Sequence, residues 1–272
     1  MPTYRGRFAP SPTGDLHFGS LVAAVASYVD ARRAAGEWLV RIEDLDGPRT
    51  VPGAAGRILS TLESYGFQWD GPVIYQSQRE QAYAAALAQL GDLVYPCGCT
   101  RAELGGGEFY PGHCRAGLPP GRQPRSRRIR VPDRQIHWLD RRLGWQHENL
   151  AHSTGDFVLQ RADGFWAYQL AVVVDDAAQG VTDVVRGADL LISTARQIYL
   201  QEALALPRPR YLHVALVLDQ EGHKLSKQTK ALPVPPAGSA PILAAALRFL
   251  GELVPPEVDR VDSLWRWALR ST

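Results

Sequence analysis

The chain has 272 residues, 45% of them hydrophobic, enough for one sizeable core with a smaller appended unit. A formal net charge of +2 excludes a protein held on nucleic acid by overall charge alone, and leaves a local basic patch open. Apolar runs fall short of the ~18 residues that a membrane span needs, and Met1-Pro2-Thr3-Tyr4-Arg5 has no apolar signal core, so a soluble, cytoplasmic protein is expected.

In chain order, Tyr4 to Phe8 is predicted as a strand broken by the turn-rich Ala9-Pro10-Ser11-Pro12-Thr13-Gly14. Leu21, Val22, Val25, Tyr28 and Val29 have helical spacing across Ser20 to Arg33, closed by Gly36. A strand over Trp38–Ile42 follows, then helices over Pro52–Tyr65 and Gln78–Leu90 and a third strand at Leu93–Tyr95. This alternation predicts a parallel sheet wound on both faces. Between Cys97 and Asn149 the pattern breaks into Gly-, Pro- and Arg-rich sequence, with short strands at Arg127–Val131 and Gly144–His147. Alternation resumes at Phe157–Gln160, with a helix over Tyr168–Ala177, a strand at Thr182–Val185, a helix over Thr194–Leu206 and a long strand at Tyr211–Leu218. Two modest helices, Pro241–Leu250 and Asp262–Leu269, close the chain. The expected architecture is an α/β, doubly wound parallel (Rossmann-type) domain in halves 1–96 and 150–219, split by an insertion at 97–149 and followed by a loop and short helical region at 220–272.

Two segments carry phosphate chemistry. Arg7 to Ser20 follows a strand and opens a helix, where backbone N–H groups and the positive dipole end suit an anion. Within it His17 can donate to a phosphoryl group, and Gly14 and Gly19 permit close backbone approach. The second segment is Lys224-Leu225-Ser226-Lys227-Gln228. Of the 30 basic residues only Lys224, Lys227 and Lys230 are lysine, all within seven positions. A compact ammonium suits a phosphate better than a guanidinium fork does.

Together these segments resemble the two signatures of class I aminoacyl-tRNA synthetases, and Arg-Phe-Ala-Pro-Ser-Pro-Thr-Gly resembles the opening of the glutamyl and glutaminyl branch. Phe18, Ser20, Leu225 and Gln228 depart from the commoner residues. The resemblance implies a Rossmann-type fold and ATP, with Mg2+, as substrate. His17, Gly19, Lys224 and Lys227 would be catalytic, and His17, Gly19 and Lys227 would hold ATP. It also implies a glutamate site of Arg7, Ala9, Ser11, Glu43, Tyr168 and Arg186, Glu43 taking the α-ammonium. Glu43 and Arg186 end predicted strands, where ligands of doubly wound sheets sit.

Cys97, Cys99 and Cys114, an odd number in a short Gly-rich loop, do not make a disulfide framework and suit one structural zinc per chain. Ligand chemistry favours His113 as fourth donor, while its adjacency to Cys114 weighs against it. The chain is similar to the shortened glutamyl-Q family, whose Cys-x-Cys…Tyr-x-x-x-Cys pattern implies Tyr110 instead. Residues 115–142 carry nine arginines against Asp133 and Asp140, the footprint expected for RNA phosphates. About forty residues follow Lys230, too few for the anticodon-reading domain of full glutamyl-tRNA synthetases. The expectation is therefore a monomeric ligase that forms glutamyl-adenylate without tRNA and passes glutamate to queuosine in the anticodon loop of tRNA(Asp). A truncated ligase with another acceptor and a non-catalytic RNA-binding paralogue are the alternatives.

Overall fold

The computed structural model describes residues 3–105, 109–218, 232–235 and 237–270. The first elements are β1 (Arg5–Phe8), α1 (Phe18–Arg33), β2 (Glu37–Ile42), α2 (Ala54–Ser64) and β3 (Ile74–Tyr75). Next come α3 (Glu80–Gln89), β4 (Val94–Cys97), β5 (Ser126–Ile129), β6 (Gln135–Asp140), β7 (Gly144–Asn149), α4 (Leu150–Ser153), β8 (Val158–Gln160) and α5 (Tyr168–Ala178). The chain ends through β9 (Asp183–Gly187), α6 (Thr194–Ala203), β10 (Arg210–Val214), α7 (Ala240–Phe249) and α8 (Val261–Ala268). It divides into two compact units: residues 1–76, 181–191 and 209–272, and residues 77–180 and 192–208. Among the described residues no helix is long and apolar enough to cross a membrane.

The first unit holds the parallel sheet. β1 pairs in parallel with β2, β2 with β3, and β9 with β10. Thr182, just before β9, stitches β9 to β1 by donating its N–H to the Arg5 carbonyl at 2.9 Å and accepting the Arg5 N–H on its hydroxyl at 2.8 Å. Trp38, Val40, Arg41 and Ile42 of β2 are all buried, the near-continuous burial of a strand covered on both faces. α1 lies on this sheet through Leu21, Val22 and Val25, and its last turn carries Arg32 and Arg33, cations suited to the negative end of the helix dipole. The aromatic rings of Tyr28, Trp38, Phe67 and Trp265 pack with centroids 4.8–5.4 Å apart. Trp38 Nε1 donates to Ser27 Oγ at 2.9 Å and Trp265 Nε1 to the Tyr65 carbonyl at 2.8 Å, so both indoles are buried with their polar handles satisfied. α8 is fixed to the core through Leu264, Trp265 and Ala268.

The expected α/β architecture with its parallel sheet and short helical C-terminal region is present, with three differences in detail. Leu93–Tyr95 falls largely in β4, which runs antiparallel to β5 in a separate β4-β5-β8 sheet. The third parallel strand is the two-residue β3, too short for any periodicity to reveal. The strand expected over Tyr211–Leu218 stops at Val214, because its partner β9 ends at Gly187 and the chain turns into a 3-10 segment. The second compact unit takes in residues 77–180 and 192–208, within which α3 packs on α5, α5 on α6, and β8 on β5. A buried network in which Arg79 and Tyr83 both contact the Asp175 carboxylate joins two of those helices.

Replacing Trp265 by alanine removes an indole that touches both Tyr28 and Phe67. The expected loss is about 3–5 kcal/mol, the range for a buried Trp truncated to Ala. A shift of the urea midpoint corresponding to less than ~1 kcal/mol would show that α8 does not hold the core.

Candidate functional site

Three strand ends of the first unit carry buried charge. Arg7 on β1, Arg41 on β2 and Arg186 on β9 are each at most 5% exposed. Arg41 donates to Glu43 Oε1 at 3.1 Å, and the Glu43 side chain is itself only 8% exposed. The pair is thus a buried one at the carboxyl end of β2. Arg186 donates its Nε–H to His213 Nε2 at 3.0 Å and lies over the Tyr211 ring, 5.5 Å from its centroid. That bond requires a lone pair on Nε2, so neutral His213 carries its proton on Nδ1.

The opening loop is tied to these charges. The Glu43 N–H donates to the Pro10 carbonyl at 3.0 Å and the Val51 N–H to the Pro12 carbonyl at 2.9 Å, which ties the loop on either side of Ser11 to the chain that follows β2. His17 is the N-cap of α1, and its Nδ1 accepts the Ser20 N–H at 3.2 Å. An N-cap normally uses a Ser, Thr, Asp or Asn oxygen; here an imidazole nitrogen takes that orphan donor. The consequence is chemical: with Nδ1 accepting, the neutral ring holds its proton on Nε2, 3.0 Å from Ser20 Oγ. Both ring nitrogens are thus engaged with Ser20, which fixes the His17 ring at a helix N-terminus, where an anion is favoured.

Of the residues expected to act on the amino acid and nucleotide, the first unit contains Arg7, Ala9, Ser11, His17, Gly19, Glu43 and Arg186. Tyr168 is the first residue of α5 in the second unit. Lys224 and Lys227 lie outside the described residues. His213 was not legible in the sequence, where a histidine in an apolar strand reads as core.

The second unit holds the cysteines. The Sγ atoms of Cys97, Cys99 and Cys114 lie within 4.8 Å of one another, with Cys99 and Cys114 3.7 Å apart. Tyr110 Oη stands 3.4 Å from Cys97 Sγ and 4.0 Å from Cys99 Sγ. A tetrahedral ion with metal–sulfur bonds of about 2.3 Å sets its thiolates about 3.8 Å apart, the spacing of Cys99 and Cys114, so the donor set suits zinc. His113 is set edge-on to Tyr110 with ring centroids 6.3 Å apart and is not among the clustered donors. Burial pushes the Cys97 thiol up, but hydrogen bonds from Tyr110 and the Cys99 backbone and the nearby Arg128 guanidinium outweigh it and bring the thiol down to about 7. Burial, with Cys114 and Cys97 as neighbours, pushes Cys99 up to about 11. One thiol is thus poised to ionise first, as a metal-binding thiolate must.

Arg128 stacks over the Tyr110 ring at 3.8 Å and donates to the Asp156 carbonyl at 2.7 Å. The Asp156 carboxylate, buried, accepts from Tyr95 Oη at 2.7 Å, from Arg115 at 2.6 Å and from the Val131 N–H at 2.8 Å. Arg122 grips Glu103 with both terminal nitrogens and reaches the Gly98 carbonyl at 3.2 Å. Arg134 pairs with Glu202. At least five of the nine arginines expected to face RNA phosphates, Arg115, Arg122, Arg128, Arg130 and Arg134, are therefore engaged within the protein, Arg130 on the Asp92 and Arg115 carbonyls, and the basic stretch is in good part scaffolding for the cysteine loop. Neither Asp156 nor Arg128 carries a sequence signal, because their partners are distant in the chain.

Residues 3–107 and 122–235 match the family described as tRNA synthetases class I (E and Q), catalytic domain. The glutamyl-Q tRNA(Asp) synthetase of Verminephrobacter eiseniae is 55% identical over 98% of this chain and 96% of its own length. That of Burkholderia mallei is 59% identical over 92% and 89%. Among solved structures, a glutamate tRNA ligase from Elizabethkingia meningosepticum superposes with a TM-score of 0.74 at 32% identity over 83% of this chain. The chain spans about half of that ligase, 52% of its length.

Gly155 has φ +68° and forms a bridge to Tyr110; a Cβ there would sit 2.2 Å from the Tyr110 carbonyl oxygen. Gly155→Ala should displace Tyr110, so that a chelator extracts bound metal at least about tenfold faster than from the parent. An unchanged extraction rate, read with a chromogenic chelator, would show that Tyr110 does not secure the ion.

Proposed function

The chain belongs to the glutamyl-Q tRNA(Asp) synthetase family within the class I glutamyl and glutaminyl synthetases, and we propose that it activates glutamate with Mg2+-bound ATP and transfers it to queuosine of tRNA(Asp). The glutamate α-carboxylate attacks the α-phosphorus and pyrophosphate leaves. Queuosine then attacks the acyl carbon and AMP leaves. Arg7 and Arg186 hold the side-chain carboxylate, Glu43 the α-ammonium, and Ala9 and Ser11 line the same pocket. His17 and Gly19 at the α1 N-terminus receive the nucleotide, and Lys227, with Lys224, meets the phosphates as charge builds.

The observation that carries this reading is the buried charge at the strand ends beside the His17-capped helix. Buried guanidinium groups at strand ends suit the bidentate recognition of a carboxylate, and a dicarboxylic amino acid carries one on its side chain. Zinc held by Cys97, Cys99, Tyr110 and Cys114 is structural in this reading. When bound it supplies no reacting water, and it organises a loop too polar to order itself. The protein acts as a monomer.

Glutamate-dependent ATP–pyrophosphate exchange should proceed without tRNA, and Lys227→Ala should lower it by at least ~100-fold, the scale of losing one transition-state donor. tRNA(Asp) with guanosine in place of queuosine should not accept glutamate. Exchange of Lys227→Ala within a few-fold of the parent would remove that lysine from the mechanism, and equal charging of both tRNAs would overturn the acceptor.

A further inference from the structure

β6 and β7 form an antiparallel ribbon whose two faces differ sharply. Ile136, Trp138 and Asp140 of β6 are buried, and the ribbon packs on α6. The outward residues pair across the strands as Gln135 with Asn149, His137 with His147 and Leu139 with Trp145. Trp145 is 75% exposed and Leu139 54%, while the two imidazoles face each other with centroids 5.8 Å apart. An indole and a leucine paired on the solvent face add nothing to the core. Clustered apolar surface of that kind marks a recognition site.

The charges around this face select its partner. The turn between the strands carries Arg141 and Arg142, both exposed. Arg208, also exposed, donates to the His137 carbonyl at 2.7 Å. Asp140 is buried and accepts the N–H groups of Arg142 and Leu143, Glu148 accepts from Ser153 on the opposite face, and Asp133 accepts from Asn149. The face is therefore aromatic and amide-bearing, rimmed by guanidinium groups. That combination fits unpaired nucleotides: bases stack on the ring, imidazoles and amides reach base edges, and arginines meet phosphates. A protein partner would favour a charge-depleted centre, and a duplex hides the base faces that an exposed indole recognises.

We propose that the outward face of the β6–β7 ribbon docks unpaired nucleotides of an RNA loop, Trp145 stacking on a base while Arg141 and Arg142 contact the flanking phosphates. This rests on the reading that RNA is the acceptor, and it names where the loop is held.

The test measures binding of a fluorescently labelled anticodon stem-loop RNA of tRNA(Asp) to the whole enzyme by anisotropy. Trp145→Ala should weaken binding about tenfold, the scale of losing one base–aromatic stack, while Trp145→Phe stays within about threefold. Glutamate-dependent pyrophosphate exchange should be unchanged in both, which establishes that the variants fold. Arg141→Ala/Arg142→Ala should lower the steepness of the salt dependence, since fewer phosphate contacts release fewer counterions. A blunt duplex of equal length should compete poorly. Parent-like affinity of Trp145→Ala would overturn the proposal, as would equal competition by the duplex. Self-association that Trp145→Ala abolishes would also overturn it by assigning the face to a second copy. Normal stem-loop binding with no glutamate transfer would leave this proposal standing and strike only the acceptor assignment above.

Discussion

The constraint on which the first unit depends is the cost of keeping guanidinium groups out of water at the ends of parallel strands. Arg7, Arg41 and Arg186 are nearly inaccessible, and each must be met by acceptors or by an anion. Arg41 meets Glu43 within the sheet. Arg186 is held at Nε by the neutral His213 imidazole, which fixes the plane of the guanidinium without neutralising it. A guanidinium whose plane is fixed in this way suits the bidentate geometry of a carboxylate ligand. The sheet makes the placement possible, because the parallel pairings of β1 with β2 and of β9 with β10 send Arg7, Glu43 and Arg186 to the carboxyl ends of their strands.

The second unit solves a different problem. Its loops are too rich in glycine, proline and arginine to bury much apolar surface, so order comes from polar hubs. Asp156 gathers Tyr95, Arg115 and the Val131 backbone. Arg128 lies flat on Tyr110, and Tyr110 in turn faces two of the three thiols. A metal bound there would draw the 97–114 segment to one point. These interactions are local to the second unit, whereas the strand-end charges belong to the first.

What the sequence made legible follows from the range of each interaction. Helix α1 was readable because its apolar spacing lies within a few turns, and β2 because Trp38, Leu39, Val40 and Ile42 crowd one short segment. Strand partners were not, since pairing is set by residues far apart: Leu93–Tyr95 has strand composition whichever sheet it joins, and it joined the antiparallel one. Arg7, Glu43 and Arg186 could be named from the motifs around them. His213 and Asp156 could not, because the first is distinguished only by facing Arg186 and the second only by three distant donors. The basic stretch illustrates the opposite error, in which composition counts charges without seeing partners. Arg115, Arg122, Arg128 and Arg134 are bound internally, so RNA recognition must be sought in a face rather than a tally of arginines.

The central claim is that buried strand-end cations select a second carboxylate. It is tested most directly by the ratio of kcat/KM for glutamate to that for glutamine in ATP–pyrophosphate exchange. A site built for a charged partner leaves its cations unpaired when the neutral amide binds, a cost of about 1–3 kcal/mol or more. The account predicts that glutamate is preferred by at least about a hundredfold, and that Arg186→Ala collapses most of that preference. Comparable kcat/KM values for the two amino acids in the parent enzyme would contradict it.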